Sequence, residues 1–272
     1  MPELPEVESI ARTLRQGSTD APPLLGRCVS AVEVRWLRTI AEPDAHTFAE
    51  LLVGQCVRAV QRHGKYLRIV LDAHELLVHL RMSGRLHVVP QEQALTLHTR
   101  VVLKLNDAWA LRFEDARKFG RMWLVQSPQR VLAKLGPDAL SVDLDTFAAR
   151  LQARRSRLKP LLLDQTFIAG VGNIYADEAL HRACLHPLRS SRTLTTAEIA
   201  QLHTAVQAVL HEGIAANGAS FDWVYPGGHF QEHFRVYGRV GQPCPRCGAP
   251  IKRLVIAQRS TYFCERCQPL LQ

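Results

Sequence analysis

The sequence predicts an α+β protein whose strands, helices and cysteine module follow one another along the chain. Three observations carry this. Period-two alternation dominates residues 28–125, helical spacing dominates 144–216, and two Cys-x-x-Cys pairs stand near the end. The first element is a helix over 5–16, where Val7, Ile10 and Leu14 recur at helical spacing and Pro5 suits a first turn. Strands are then expected over 28–37, 56–71, 76–89, 101–105, 109–114 and 121–125. Stretches such as Val57-Arg58-Ala59-Val60 and Leu67-Arg68-Ile69-Val70 alternate apolar and polar residues between Gly and Asp turns, as in a two-sheet sandwich or a barrel. Residues 127–141, with Pro128, Gly136 and Pro137, read as a connection. Helices follow over 144–153, 159–164, 174–183 and 197–216, and short strands return around the last cysteines.

At 272 residues the chain can bury a sizeable core and divide into domains. Its 47% hydrophobic and 22% charged residues are those of an ordinary globular protein. The net charge of +9 and pI near 9.5 point to a polyanionic partner. Nucleic acid leads, because each neutralised phosphate releases counterions. No apolar run approaches the ~18 residues of a membrane helix, and the N-terminus lacks the basic and apolar regions of a signal peptide. A cytosolic location is therefore expected. Cys28, Cys56 and Cys184 are scattered singly and are expected as buried free thiols.

The remaining cysteines carry more. Cys244-Pro-Arg-Cys247 and Cys264-Glu-Arg-Cys267 enclose sixteen residues, the spacing of a structural zinc site. Four thiolates from two turns surround one tetrahedral Zn²⁺ and leave no open position for water, so the ion is expected to hold structure and do no chemistry. Between the pairs lie Lys252, Arg253, Gln258 and Arg259, then Ser260, Thr261 and Tyr262. A zinc-gripped hairpin bearing Arg and hydroxyls suits phosphate contact. Upstream, Gly170-Val-Gly172-Asn173 precedes a helix. With Asn173 as N-cap, this turn is expected to offer backbone N–H groups to an anion, flanked by the basic run 154–159.

The chain starts Met1-Pro2-Glu3-Leu4-Pro5-Glu6-Val7-Glu8. A start methionine before a small residue is usually trimmed, which leaves Pro2 with a free secondary amine. Such a group titrates near ~8 and is nucleophilic at neutral pH. Attack on a sugar aldehyde carbon gives an iminium electron sink, and Glu3 stands beside it as a proton donor.

Taken together, these segments resemble the bacterial formamidopyrimidine-DNA glycosylases. The resemblance runs nearly end to end, through MPELPEVE, His63-Gly-Lys65-Tyr66-Leu67, His79-Leu-Arg-Met82-Ser-Gly84 and Asp115-Ala-Arg117-Lys-Phe119-Gly120. It continues through 170–178, Val236-Tyr-Gly-Arg239 and the cysteine module with Gln258-Arg259-Ser-Thr-Tyr-Phe263. It implies an N-terminal β-sandwich with its helix (1–130), a helix–two-turn–helix domain with a lesion-capping loop (131–234) and a C-terminal zinc-finger hairpin (235–272). It implies a monomeric enzyme on double-stranded DNA bearing oxidised bases or abasic sites, cytoplasmic and associated with the nucleoid through that DNA. The activity implied is removal of oxidised purines (8-oxoguanine, formamidopyrimidines) followed by β,δ-elimination at the abasic site.

By the same resemblance Pro2 is the Schiff-base nucleophile, Glu3 the proton donor that opens the sugar ring, and Glu6 a buttress one turn on. Lys65 matches the lysine of β-elimination and phosphate binding, and Arg259 the hairpin arginine of δ-elimination. His98, Arg117, Arg154 and Asn173 align with DNA-contacting positions. A flipped base leaves a gap in the duplex, and Met82, Arg117 and Phe119 match the trio that fills it, although read alone Met82 and Phe119 fit sandwich core. The segment 217–233, with Phe221, Trp223, Tyr225 and Phe230, matches the loop over the extruded base. Arg81 stands where the family often has Gly, and Ala116 where it often has Pro. Two alternatives stay open: an endonuclease VIII-like enzyme for oxidised pyrimidines, and a non-catalytic zinc DNA-binding protein. The retained Leu4, Arg117 and Phe119 weigh against the first, and Pro2, Glu3 and Lys65 against the second.

Overall fold

The computed structural model describes residues 1–220 and 227–270. Its contacts divide them into two units, one made of residues 1–2, 6–134 and 220, the other of 3–5, 135–219 and 227–270.

The first unit holds most of α1 (Leu4–Gln16) and then β1 (Val29–Val34), β2 (Ile40–Glu42), α2 (Ala45–Leu52), β3 (Ala59–His63), β4 (Tyr66–Val70) and β5 (Glu75–His79). It continues with β6 (Gly84–Pro90), β7 (Thr99–Leu105), β8 (Trp109–Asp115), β9 (Arg121–Val125) and the short α3 (Gln129–Leu132). The strands form two separate sheets, β1-β7-β8-β6 and β2-β9-β5-β4-β3, which settles the sandwich-or-barrel question in favour of the sandwich. All pairs are antiparallel except β2 with β9. Period two puts Leu86, Val88, Leu103 and Phe113 of one sheet in the same buried cluster as Val60, Leu67, Ile69 and Val78 of the other. Val7, Ile10, Ala11 and Leu14 of α1 join that cluster, which accounts for the apolar stripe of the first helix.

The second unit holds α4 (Leu144–Gln152), α5 (Leu158–Leu163), α6 (Asn173–Arg182), α7 (Thr196–Ala215) and the hairpin β10 (Lys252–Ile256)–β11 (Arg259–Phe263). Its helix starts are specified locally. Asp143 accepts the Thr146 N–H at 2.7 Å, and Thr195 with Glu198 closes a capping box on α7. Helix α6 has every residue from Ile174 to His181 buried, so its charged residues all need partners inside the unit. Tyr175 of α6 stacks on Phe230 with ring centroids 5.1 Å apart.

Several expectations need correction. Cys28 and Cys56 are not free thiols: they face each other across an antiparallel bridge and form a disulfide. The sequence separation of 28 hides a contact that only strand pairing creates. Cys184 is free but half-buried. Asn173 is not the N-cap of α6. Gly172 is, and Asn173 is the first helical residue. Helix α2 and strand β2 lie where no element was expected. Phe230 belongs to the core, and Phe221, Trp223 and Tyr225 lie outside the described residues.

Candidate active site and metal centre

In the second unit Glu3 and Leu4 sit in a slot made by the 170–175 turn. The Leu4 N–H donates to Gly170 O at 3.1 Å. Glu3 is 3% exposed, and its carboxylate accepts the N–H groups of Ile174 (3.1 Å) and Tyr175 (3.5 Å) at the start of α6. Free N–H groups and the positive end of the dipole make this an anion site. The sequence suggests an outside phosphate for that site, but the protein's own Glu3 occupies it. Two glycines allow the approach. A Cβ at Gly172 would lie 2.1 Å from Glu3 Cδ, and one at Gly170 would lie 2.4 Å from Leu4 Cδ1. Pro2 and Glu6 are buried residues of the first unit.

Beneath this slot lies a pair the sequence reading missed. Lys159 and Asp177 are both fully buried and 2.7 Å apart. The ammonium also donates to Asn173 O at 2.8 Å, and the other carboxylate oxygen of Asp177 accepts the Tyr262 N–H of β11 at 3.0 Å. Burial pushes Asp177 up to about 7 against the pull of Lys159, and the same burial pushes Lys159 down. Glu3 and Arg259 both act electrostatically on Lys159. Asn173 donates its side-chain N–H to Ser260 O at 3.0 Å, next to the exposed Arg259. Glu3, Asn173 and Arg259 are thus linked through α6 and the hairpin. The available signal was a lone charge inside the apolar run Leu158-Lys159-Pro160-Leu161-Leu162. Arg154 sits apart from that network, half-buried, 3.7 Å from Asp164.

In the first unit two turns carry the proposed gap-filling trio. Phe119 is 50% exposed and Met82 half-buried, and neither belongs to the sandwich core. The Arg117 guanidinium lies 5.1 Å from the Phe119 ring centroid. One buried carboxylate ties the turns together. Asp115 accepts from Ser83 Oγ, from the Arg117 N–H (3.2 Å) and from the Gly120 N–H (2.7 Å). Arg81 adopts φ +56°, in the left-handed region that favours glycine. His98 is exposed, on the loop before β7. Lys65 is buried in the two-residue turn between β3 and β4.

His79 supports the Met82 turn: its Nδ1 accepts the Arg81 N–H at 3.1 Å. Burial first, then the charges of Arg81 and Lys65, push its pKa from 6.5 down to about 3. The unfolded chain therefore binds a proton between these values that the folded chain refuses. Stability held at neutral pH is lost as pH falls through that window. Between pH 7 and pH 5 the loss is expected to be about 2 kcal/mol, at 1.36 kcal/mol per pH unit. His79→Gln should remove that part of the slope in urea midpoints measured at both pH values, and equal slopes would refute the account.

The four cysteines fit one zinc ion. Their Sγ atoms all lie within 4.8 Å of one another. Cys244–Cys267 and Cys247–Cys264 are separated by 3.9 and 3.4 Å. A tetrahedron with Zn–S of about 2.3 Å has S–S edges of about 3.8 Å, so the observed spacings bracket it. The first knuckle closes through the Gly248 N–H to Cys244 O (2.9 Å), with Gly248 at φ +77°. In the second, buried Gln268 accepts the Cys264 N–H at 2.9 Å through its side chain.

Comparison with known proteins places these features in a family. Residues 1–122 match the formamidopyrimidine-DNA glycosylase N-terminal domain, 135–223 the H2TH domain of the same glycosylase, and 241–270 the zinc finger found in FPG and IleRS. A formamidopyrimidine-DNA glycosylase of Herpetosiphon aurantiacus is 45% identical over 98% of this chain and 100% of its own. One of Chloroflexus aggregans is 46% identical over the full length of both. Among solved structures, a wild-type Lactococcus lactis Fpg bound to N7-benzyl-Fapy-dG DNA matches at TM-score 0.90 and 32% identity, covering 98% of this chain and 100% of that one. A MutM complex with carbocyclic 8-oxo-G DNA matches at TM-score 0.88 and 32% identity, covering 98% and 99%.

Proposed function

The chain belongs to the formamidopyrimidine-DNA glycosylase family, and we propose that Pro2 and Glu3 carry the chemistry by which it removes oxidised purines from DNA. It is a DNA glycosylase with abasic-site lyase activity, and its partner is duplex DNA bearing the lesion. Such a base is inaccessible while stacked, so the nucleotide is extruded first, at a cost of about a few kcal/mol. Met82, Arg117 and Phe119 fill the space it leaves. Phe119 is the apolar wedge, and Arg117 supplies donors to the orphaned base. His98, Arg154 and Asn173 hold phosphates.

In the reaction the Pro2 amine attacks C1′ and gives up its N–H proton, while the N-glycosidic bond breaks and the base leaves with that bond's electron pair and takes up a proton. Glu3 gives a proton to O4′, the ring opens, and the nitrogen pair closes the iminium. Loss of a C2′ proton expels the 3′ phosphate, and loss of a C4′ proton from the conjugated iminium then expels the 5′ phosphate. Lys65 assists the first elimination and Arg259 the second, while Glu6 supports the proline. The observation that carries this reading is the fixed Glu3 carboxylate in its glycine-lined slot, adjacent in sequence to the proposed nucleophile. The four cysteines hold one structural zinc, which keeps the Arg259 hairpin in shape.

We further assign three parts, 1–130, 131–234 and 235–272, and a monomer acting in the cytoplasm at the nucleoid. No described helix is long and apolar enough to cross a membrane. The test is borohydride trapping on duplex DNA with 8-oxoguanine, followed by peptide mapping of the adduct. Reduction should fix the sugar to Pro2. An adduct on a lysine of the wild-type chain would overturn the assignment.

A further inference from the structure

Helix α6 turns three polar side chains toward the C-terminal segment, and the mechanism above uses none of the three directly. The free carboxylate oxygen of Asp177 accepts the Tyr262 N–H at 3.0 Å. Glu178 accepts the N–H groups of Arg235, Val236 and Tyr237 at 3.0, 3.0 and 2.8 Å. One turn further along, His181 is 0% exposed, and its Nε2 lies 3.3 Å from Cys244 Sγ. The two carboxylates meet backbone N–H groups. His181 alone meets one of the four sulfurs.

Two facts about this contact belong together. Cys244 is 2% exposed, inside an apolar cluster with Val236, Ile251 and Cys264. A zinc ion held by four thiolates leaves the centre with excess negative charge, which a buried site must offset with donors. The second fact is that His181 Nδ1 is buried without a hydrogen-bond partner among the described residues. A polar ring held this way is rare unless its other nitrogen makes a bond worth keeping. A thiolate can only accept, so the nitrogen facing it must carry the ring proton.

We propose that His181 is a positioning residue of the zinc centre, donating its Nε2–H to the Cys244 thiolate and so fixing the first zinc knuckle to α6. The bond draws charge from the sulfur and resists its departure from the metal. With the Asp177 and Glu178 contacts, it makes one side of α6 a platform for the zinc-loaded module. The four cysteines answer for ligation, and His181 acts outside that set.

The test reads metal, not excision. Zinc-loaded full-length protein is challenged with excess EDTA, and zinc release is followed over time. His181→Phe fills the space and donates nothing, so release should accelerate about 10–100-fold, the usual effect of losing an outer partner. His181→Gln can place an amide N–H near the same sulfur and should recover much of the loss. Parental release rates in the Phe variant would overturn the proposal. So would equal acceleration in both variants, which would mark a packing role only. If the Phe variant does not fold, long-range ¹H–¹⁵N spectra of the wild-type zinc protein decide. They should show His181 protonated at Nε2, and a proton on Nδ1 refutes the bond.

Discussion

Glu3→Gln is expected to lower base release from 8-oxoguanine duplexes by about 10²–10⁴-fold, the range that a positioned acid contributes. Lesion binding should be left near its wild-type value. The substitution is nearly isosteric, and the amide oxygen can still accept the Ile174 N–H that the carboxylate accepts at 3.1 Å. The side chain therefore keeps its slot, and only the transferable proton is lost. A preformed abasic site spends part of its time as the open aldehyde, so Pro2 can capture it without ring opening by Glu3. Borohydride trapping on abasic DNA should accordingly persist in the variant. Single-turnover base release measured beside gel-shift affinity separates these effects. Undiminished excision would remove Glu3 from the mechanism, and equal loss of binding would make its role structural.

The prediction rests on a residue that was legible from sequence held in a place that was not. Pro2, Glu3 and the two cysteine pairs could be read because their chemistry is local, written in neighbouring positions or in short fixed spacings. The sandwich was also legible. Residues 57–60 and 67–70 show the period of two, but one segment was expected over 56–71, and the structure breaks it into β3 and β4 at Gly64-Lys65. Strand β2 escaped because three residues carry no periodicity and pair in parallel with β9, far along the chain. Helix α2 escaped although its start is written in the sequence: Asp44 caps it by accepting from the His46 and Thr47 N–H groups at 3.0 and 3.1 Å. An apolar Phe48–Leu52 spacing confirms the stripe.

What no local pattern encodes is partnership across the chain. Lys159 pairs with a residue 18 positions on, Cys28 with one 28 positions on, and Asp115 gathers N–H and O–H donors from two turns. Each makes sense only once burial forces a polar group to find a partner. The misread N-cap has the same origin. Asn173 is a good capping residue by type, but the orphan N–H groups it would have served are met by Glu3, 171 residues away from Ile174.

Gly172→Ala should reproduce most of the Glu3→Gln defect without touching the acid. Gly172 has φ −126°, a value open to any residue, so backbone strain is not the reason for glycine there. The reason is space. The three atoms nearest an added Cβ are all in the Glu3 carboxylate, at 2.1, 2.4 and 2.5 Å, and none of these approaches is tolerable. These atoms are the far end of a flexible side chain, so the clash is relieved at small cost in stability, by moving Glu3. A misplacement of about 1 Å can lower a rate by about 10²-fold, so base release should fall by about that much. Gly213→Ala is the contrast. Its Cβ would lie 2.4 Å from Tyr175 Cε1 in the core, and Tyr175 meets Glu3 only through its backbone N–H, so the unfolding temperature should drop with a smaller loss of base release than Gly172→Ala causes. A double variant sharpens the argument. If Gly172 acts only through Glu3, adding Gly172→Ala to Glu3→Gln should cost little further activity, because both remove the same contribution. Full activity in Gly172→Ala, or additive losses in the double variant, would show that the glycine serves something other than the acid beside it.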